Sequence, residues 1–171
     1  MTVEKFSKTG LHIGQAEAPV KVISFVNLRC PFCANWHLKA ENSLEKHVVS
    51  GHVEHIIKFY DKPKPSLEIG NHAHHFIDNE DEAAIKVVDS LFRSQAEWGK
   101  LTPVELTTYL ETNFKLHELA KAKATAQVVI DEANAHDIVS VPTIYIGDQV
   151  FDSQVTQEQL ESAIAAQLRK G

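Results

Sequence analysis

Val20-Lys21-Val22-Ile23-Ser24-Phe25-Val26-Asn27-Leu28 runs directly into Arg29-Cys30-Pro31-Phe32-Cys33-Ala34-Asn35-Trp36-His37, and the reading of this junction decides the fold. The first segment is nearly continuous in apolar and β-branched residues, the pattern of a central strand covered on both faces. Pro31 stands where a first helical turn tolerates proline, and Trp36, Leu38, Leu44, Val48 and Val49 carry a rough helical spacing that ends before Gly51. A helix therefore starts at the cysteines. From His52 to Tyr60, the residues Val53, Ile56, Ile57 and Phe59 mark a second strand, so strand, helix and strand form one right-handed βαβ unit. Both cysteines then lie at the carboxyl end of a strand, where open α/β sheets place their sites.

Downstream the pattern turns helical, from Pro63 to about Ala135. Ile85, Val88, Leu91 and Phe92 recur at helical spacing, and Thr102-Pro103-Val104-Glu105 supplies an N-cap, an N1 proline and a capping-box glutamate. A third helical pattern follows in Leu116, Leu119, Ala126, Val129, Ile130 and Ala133. The chain then returns to β structure, because Thr143-Ile144-Tyr145-Ile146 and Gln149-Val150-Phe151 flank the two-residue turn Gly147-Asp148. Thr156-Gln157-Glu158-Gln159 caps a last helix whose apolar stripe is Leu160, Ile164 and Leu168. The expectation is an α/β fold in which a helical domain, residues 63–135, is inserted between a βαβ half, residues 1–62, and a ββα half, residues 136–171.

Composition narrows the function. A chain of 171 residues that is 43% hydrophobic can bury one substantial core. Its net charge of -6 gives no electrostatic reason to expect nucleic acid or an anionic membrane as partner. It has no apolar run of about 18 residues to span a bilayer. The N-terminal stretch Met1-Thr2-Val3-Glu4-Lys5-Phe6-Ser7-Lys8 lacks the apolar core of a signal peptide, so the expected location is cytoplasmic. Two cysteines make no disulfide framework of the secreted kind. In a reducing compartment such a close pair points to catalysis, redox sensing or metal binding.

A cysteine at a helix N-terminus meets unpaired backbone N–H groups and the positive end of the helix dipole, which stabilise a thiolate more than a thiol. Cys30 should therefore be acidic. Cys33, about one turn in, should be more shielded, and it suits the role of a thiol that resolves a mixed disulfide on Cys30. Two other readings fit the pair taken alone: half of a zinc site and two packed core thiols. A zinc site needs histidines to complete it, and the candidates are His37 and the cluster His72-Ala73-His74-His75, which reads better as a solvated or partly packed helix face. No metal and no cofactor is expected.

The strand running into Cys30-Pro31-Phe32-Cys33, the helical insertion, and Ser140-Val141-Pro142-Thr143 leading into a hairpin and final helix together resemble the thioredoxin superfamily. Within it the chain is most similar to the DsbA-like branch, from about Gly10 to Leu168, and the entry segment Gly14-Gln15-Ala16-Glu17-Ala18-Pro19-Val20 is similar to bacterial members. The resemblance implies a thioredoxin fold with an inserted helical domain. It also implies that Val141-Pro142 is a cis-proline element beside the cysteines, where the residue before the proline offers its backbone to an extended substrate.

Two departures from the family pattern stand out. Where relatives often carry a buried acid six residues before the nucleophile, this chain has Ser24, so Lys58 on the next strand loses its expected partner. His37, one turn beyond Cys33, is a candidate for part of the missing proton-transfer role, the alternative being a surface histidine. Pro31-Phe32 between the cysteines matches neither reducing thioredoxins nor strongly oxidising DsbA, and Arg29 beside Cys30 bears on the same balance. The function expected from the resemblance is disulfide exchange with protein thiols or disulfides, in either direction, with a small thiol or a thioredoxin-type protein as redox partner. The alternatives are a glutathione-linked transferase or isomerase and a redox-sensing or metal-binding adaptor.

Overall fold

The apolar run does become the middle of a sheet. In the computed structural model, which describes residues 6–170, Val20–Val26 (β2) lies between a parallel neighbour, Val53–Phe59 (β3), and an antiparallel one, Thr143–Ile146 (β4). Leu11–Ile13 (β1) pairs antiparallel with β3, and Gln149–Phe151 (β5) pairs antiparallel with β4, giving the order β1-β3-β2-β4-β5. Two strands of three residues form the edges. The expectation drawn from the N-terminal stretch bears largely on Met1–Lys5, which with Gly171 lie outside the described residues.

Register sorts side chains between two layers, because neighbours along a strand point to opposite faces. Val22 and Val26 pack with Cys33, Trp36, Ala40 and Leu44 of helix α1 (Pro31–Val49) and with Leu160 and Ile164 of α7 (Gln157–Lys170). Ile23 and Phe25 face the other way, against Val129 and Ala133 of α6 (Ala120–Ala135), with Phe6 and Tyr145. The strand is buried on both faces, which is why its sequence shows no alternation. The cysteine helix begins as its sequence demands, with Cys30 as N-cap and Pro31 in the first turn, and Gly51, at φ 82°, turns the chain into β3.

Between β3 and β4 lie α2 (Glu68–His74), α3 (Ile85–Arg93), the single turn α4 (Gln95–Trp98), α5 (Pro103–Phe114) and α6. The capping box at Thr102 and Glu105 is present in both directions. These helices do not build a separate core. Ala73, Phe76, Val88, Leu91, Trp98, Leu106 and Leu110 join the same apolar cluster as β2 and α1, and α6 itself covers the far face of the sheet. The insertion is thus packed onto the cysteine end of the fold, and full burial of each such side chain contributes roughly 1.5–3 kcal/mol. No helix among the described residues is long and apolar enough to cross a membrane.

Candidate active site

The loop from β2 to α1 is held by polar groups from both parts of the fold. Asn27, fully buried, accepts a hydrogen bond from Arg29 N–H at 2.9 Å through its side-chain oxygen. Its amide nitrogen donates to Tyr60 O at 3.1 Å and to Asn71 Oδ1 of α2 at 2.7 Å. His74 of α2 accepts from Leu28 N–H at 3.1 Å through Nε2, so its proton sits on Nδ1 and is donated to Asp61 Oδ1 at 2.7 Å. Gln95 of α4 donates from one nitrogen to Leu28 O at 2.7 Å and Cys30 O at 3.0 Å. Gly70 lets α2 come this close: a Cβ there would lie 2.0 Å from Asn27 Oδ1. The inserted helices therefore fix the backbone from which Cys30 projects.

Cys30 is only 6% exposed, and Cys33 is fully buried. The Cys33 thiol donating to the Cys30 sulfur is the main cause that pulls Cys30 down to about 6, with burial opposing it and the Cys33 and Phe32 amides and the charge of Lys64 adding to it. Burial pushes Cys33 the other way, well above the usual thiol range, and the thiolate character of Cys30 reinforces this. The two thiols are thus separated in acidity, Cys30 lowered and Cys33 raised. On the other side of the sulfur, Cys30 Sγ lies 3.7 Å from Val141 O, and the Val141–Pro142 bond is cis. Phe32 is 57% exposed, so the site presents an aromatic face to whatever approaches.

Several residues singled out in the sequence have different surroundings from those expected. Arg29 turns its Nε to Gly99 O at 3.3 Å, and the cation acting on Cys30 is Lys64. Lys58 is not left without a partner: it pairs with Glu132 of α6 at 2.9 Å and donates to Ser7 O and Thr9 O. The reason is register, since Lys58 sits beside Phe25 in the parallel ladder and shares its α6-facing side, whereas Ser24 sits beside Ile57. His37 is not a surface histidine. It is buried, its Nε2 meets Asp89 of α3 at 3.0 Å, and its ring lies 4.9 Å from that of Phe92, while no hydrogen bond joins it to either sulfur. Ser24 bonds instead to a residue sequence reasoning passed over, His55 of β3, through Nε2 at 2.7 Å.

The histidine cluster is packed rather than solvated: His74 is buried, and His75 reaches the second oxygen of Asp61 at 2.6 Å. Among the described residues no histidine or carboxylate joins the two sulfurs in a group of three metal-ligating atoms. The group that does form, His37, Glu41 and Asp89, carries the guanidinium of Arg93, 2.6 Å from Glu41 and 3.0 Å from Asp89. Of these loop-holding residues, Asn27 showed in the sequence as a polar residue ending an apolar strand and His74 as part of the histidine cluster, while Asn71 and Gln95 left no trace.

Residues 6–166 match the family described as Thioredoxin. Among solved structures, a conserved protein of unknown function from Enterococcus faecalis V583 is 47% identical, covers 95% of this chain and 94% of its own, and superposes with a TM-score of 0.90. Proteus mirabilis ScsC in a transitional conformation is 21% identical, covers 98% of this chain and 76% of its own, and gives a TM-score of 0.77. Oxidised BdbD from Bacillus subtilis is 18% identical, with 95% and 94% covered and a TM-score of 0.71. No curated protein matches the chain.

Proposed function

We propose that this chain, which belongs to the thioredoxin family and carries the DsbA-like helical insertion, is a thiol-disulfide oxidoreductase that acts on protein substrates through Cys30-Pro31-Phe32-Cys33. The observation that carries the reading is the geometry of the pair, with Cys30 as N-cap of α1 facing the Val141 carbonyl at 3.7 Å beside the cis Val141–Pro142 bond and Cys33 buried one turn in; the Cys33 thiol pulls Cys30 down to about 6 while burial pushes Cys33 up. At neutral pH one sulfur is an anion ready to attack, and the other keeps its proton until it is needed.

In the reductive direction the Cys30 thiolate attacks a substrate disulfide, forms a mixed disulfide and expels one substrate thiolate. Cys33, having lost its proton, attacks Cys30, closes the Cys30–Cys33 disulfide and releases the second substrate thiolate. Oxidation of a substrate is the same sequence run backwards. An extended substrate backbone lies along the Val141–Pro142 segment, with Phe32 offering an apolar contact that is indifferent to substrate sequence. No cofactor enters either step.

Trapping tests this reading. A Cys33→Ala protein expressed in its native host should accumulate disulfide-linked complexes on Cys30 with several proteins, dissolved by reductant and missing when Cys30 is also replaced. If Cys30 captures no protein, and the unaltered pair cannot exchange with a model dithiol, the oxidoreductase reading fails.

A further inference from the structure

Strand order sets the cysteine loop between two other segments. β2 leads into it, the exit from β3 runs on one side, and the entry to β4 at Val141–Pro142 runs on the other. The β3 exit reads Asp61-Lys62-Pro63-Lys64-Pro65, and its two prolines fix φ, so the lysines stand on a stiff piece of chain. It is tied to the loop through Asn71, which donates to Lys62 O at 2.9 Å and accepts from Asn27 at 2.7 Å. Lys64 is exposed, and near enough for its charge to act on the Cys30 sulfur.

Next to this segment a cleft of about 420 Å³ opens between Pro65 and the turn that joins α4 to α5. Arg29, Pro65, Ile69, Gly99, Lys100 and Leu101 are among its lining residues. Arg29 is anchored through Nε to Gly99 O at 3.3 Å, and its two terminal nitrogens make no hydrogen bond among the described residues. Lys100 is exposed.

These cations share an unusual property for an acidic chain of net charge -6. Lys21, Lys46, Lys58, Arg93, Lys121, Lys123 and Lys170 each meet a carboxylate, whereas Arg29, Lys62, Lys64 and Lys100 belong to no ion pair among the described residues. Asp61, at the head of the segment, is already held by His74 and His75. One carboxylate lines the cleft, that of Glu68 in the first turn of α2. The β3 side of Cys30 is therefore a positive surface whose charges the protein itself leaves unanswered.

We propose, resting on the disulfide-exchange reading of Cys30, that Arg29, Lys62, Lys64 and Lys100 receive acidic side chains of the substrate, so that preferred substrates are proteins whose reactive cysteine is flanked by aspartate or glutamate. The substrate chain crosses the sulfur with one flank along Val141–Pro142 and the other over the cleft. The first flank is read through its backbone, whatever its sequence. The second is read by charge, which raises the encounter rate and disfavours basic segments. A segment of several residues suits the surface because the cations come from three separate stretches of chain, at positions 29, 62–64 and 100.

The test uses the whole reduced protein and peptides whose single cysteine carries a thiopyridyl group. The Cys30 thiolate attacks the peptide sulfur, the bond to the pyridyl sulfur breaks, and thiopyridone leaves with that electron pair and is followed by its absorbance. Peptides of one sequence carry two Glu, two Gln or two Lys beside the cysteine, and each rate is divided by that of 2-mercaptoethanol with the same peptide. At low ionic strength the Glu peptide should react about tenfold faster than the Gln peptide and the Lys peptide more slowly than either, and the spread should shrink to within about twofold in about 1 M salt. Reversing charge with Lys62→Glu and Lys100→Glu together should bring the Glu-to-Gln ratio below about threefold, and a ratio cancels any change in Cys30 itself. Lys100→Glu alone should move it in the same sense. Equal rates for the Glu and Gln peptides, or a preference that survives both reversals, overturn the proposal. So does a preference shown toward small anionic disulfides and not toward the peptides, which would assign the surface to a small thiol. If the reduced protein releases thiopyridone from none of the peptides, the exchange reading itself fails, and the substrate preference falls with it.

Discussion

Replacing Cys33 by alanine removes the chief cause of the acidity of Cys30, the thiol that donates to its sulfur, and leaves the amides of the helix start and Lys64 in place. A hydrogen bond to a charged group contributes about 1.5–3 kcal/mol, and one pKa unit corresponds to about 1.4 kcal/mol, so the Cys30 midpoint should climb from about 6 to between about 7 and 8. Cys33→Ser keeps a donor at the same place and should stay close to the unaltered midpoint. The sign of the linkage follows from the direction of the shift. A thiol whose folded pKa is depressed from 9.0 to about 6 stabilises the reduced folded form fully above 9, and the stabilisation fades as pH falls through 6. At pH 7 this amounts to about 1.4 kcal/mol, or about 30 mV toward a more oxidising pair. The assay is the rate of iodoacetamide alkylation across pH, read beside thiolate absorbance. A Cys33→Ala protein that titrates at the unaltered midpoint would falsify the assignment of the Cys33 thiol as the controlling donor.

Other expectations follow from the packing around the site. Glu132→Gln strands the Lys58 ammonium in the interior with only uncharged carbonyl, amide and hydroxyl partners, and should cost about 3 kcal/mol in urea unfolding; a loss within the range of surface pairs, below about 1 kcal/mol, contradicts the buried-pair account. Gly70→Ala drives a Cβ to within 2.0 Å of Asn27 Oδ1 and 2.7 Å of Arg29 Cβ, so it should lower the melting temperature and displace the Cys30 alkylation profile together; an unchanged profile would show that α2 does not position the loop. Burial opposes the ionisation of Asp61, yet the hydrogen bonds from His74 and His75 bring it from 3.8 to about 2. That stabilisation, about 2 kcal/mol, is present above pH 4 and should disappear as pH falls through 2, and Asp61→Asn should flatten that limb of the stability curve.

The sequence carried most of the elements because their signals are local. The βαβ unit, the capping box at Thr102, the hairpin around Gly147-Asp148 and the last amphipathic helix all stand where periodicity and turn chemistry put them. What escaped is set by pairing across the fold. β1 is three residues long, too short for an alternation to register, and α2 buries Gly70, Ala73 and His74, a packed side with no apolar stripe to read. Lys58 meets Glu132 across 74 positions, and Ser24 meets His55 across 31; both partnerships depend on which side of a strand each residue takes. A motif can name the two sulfurs, but the groups that hold the loop carrying them come from α2 and α4.

The short edge strands have a meaning for a protein that handles other chains. Its proposed substrates are polypeptides, and an unpaired strand in any of them can pair with an open sheet edge. β1 and β5 offer such a strand three residues each, and β5 is followed at once by the turn at Asp152–Gln154, whose side-chain hydrogen bond bends the backbone away. A client therefore finds little ladder to extend along either flank. Under the proposed function the short edges leave the Cys30 sulfur and the Val141–Pro142 segment as the place of substrate contact.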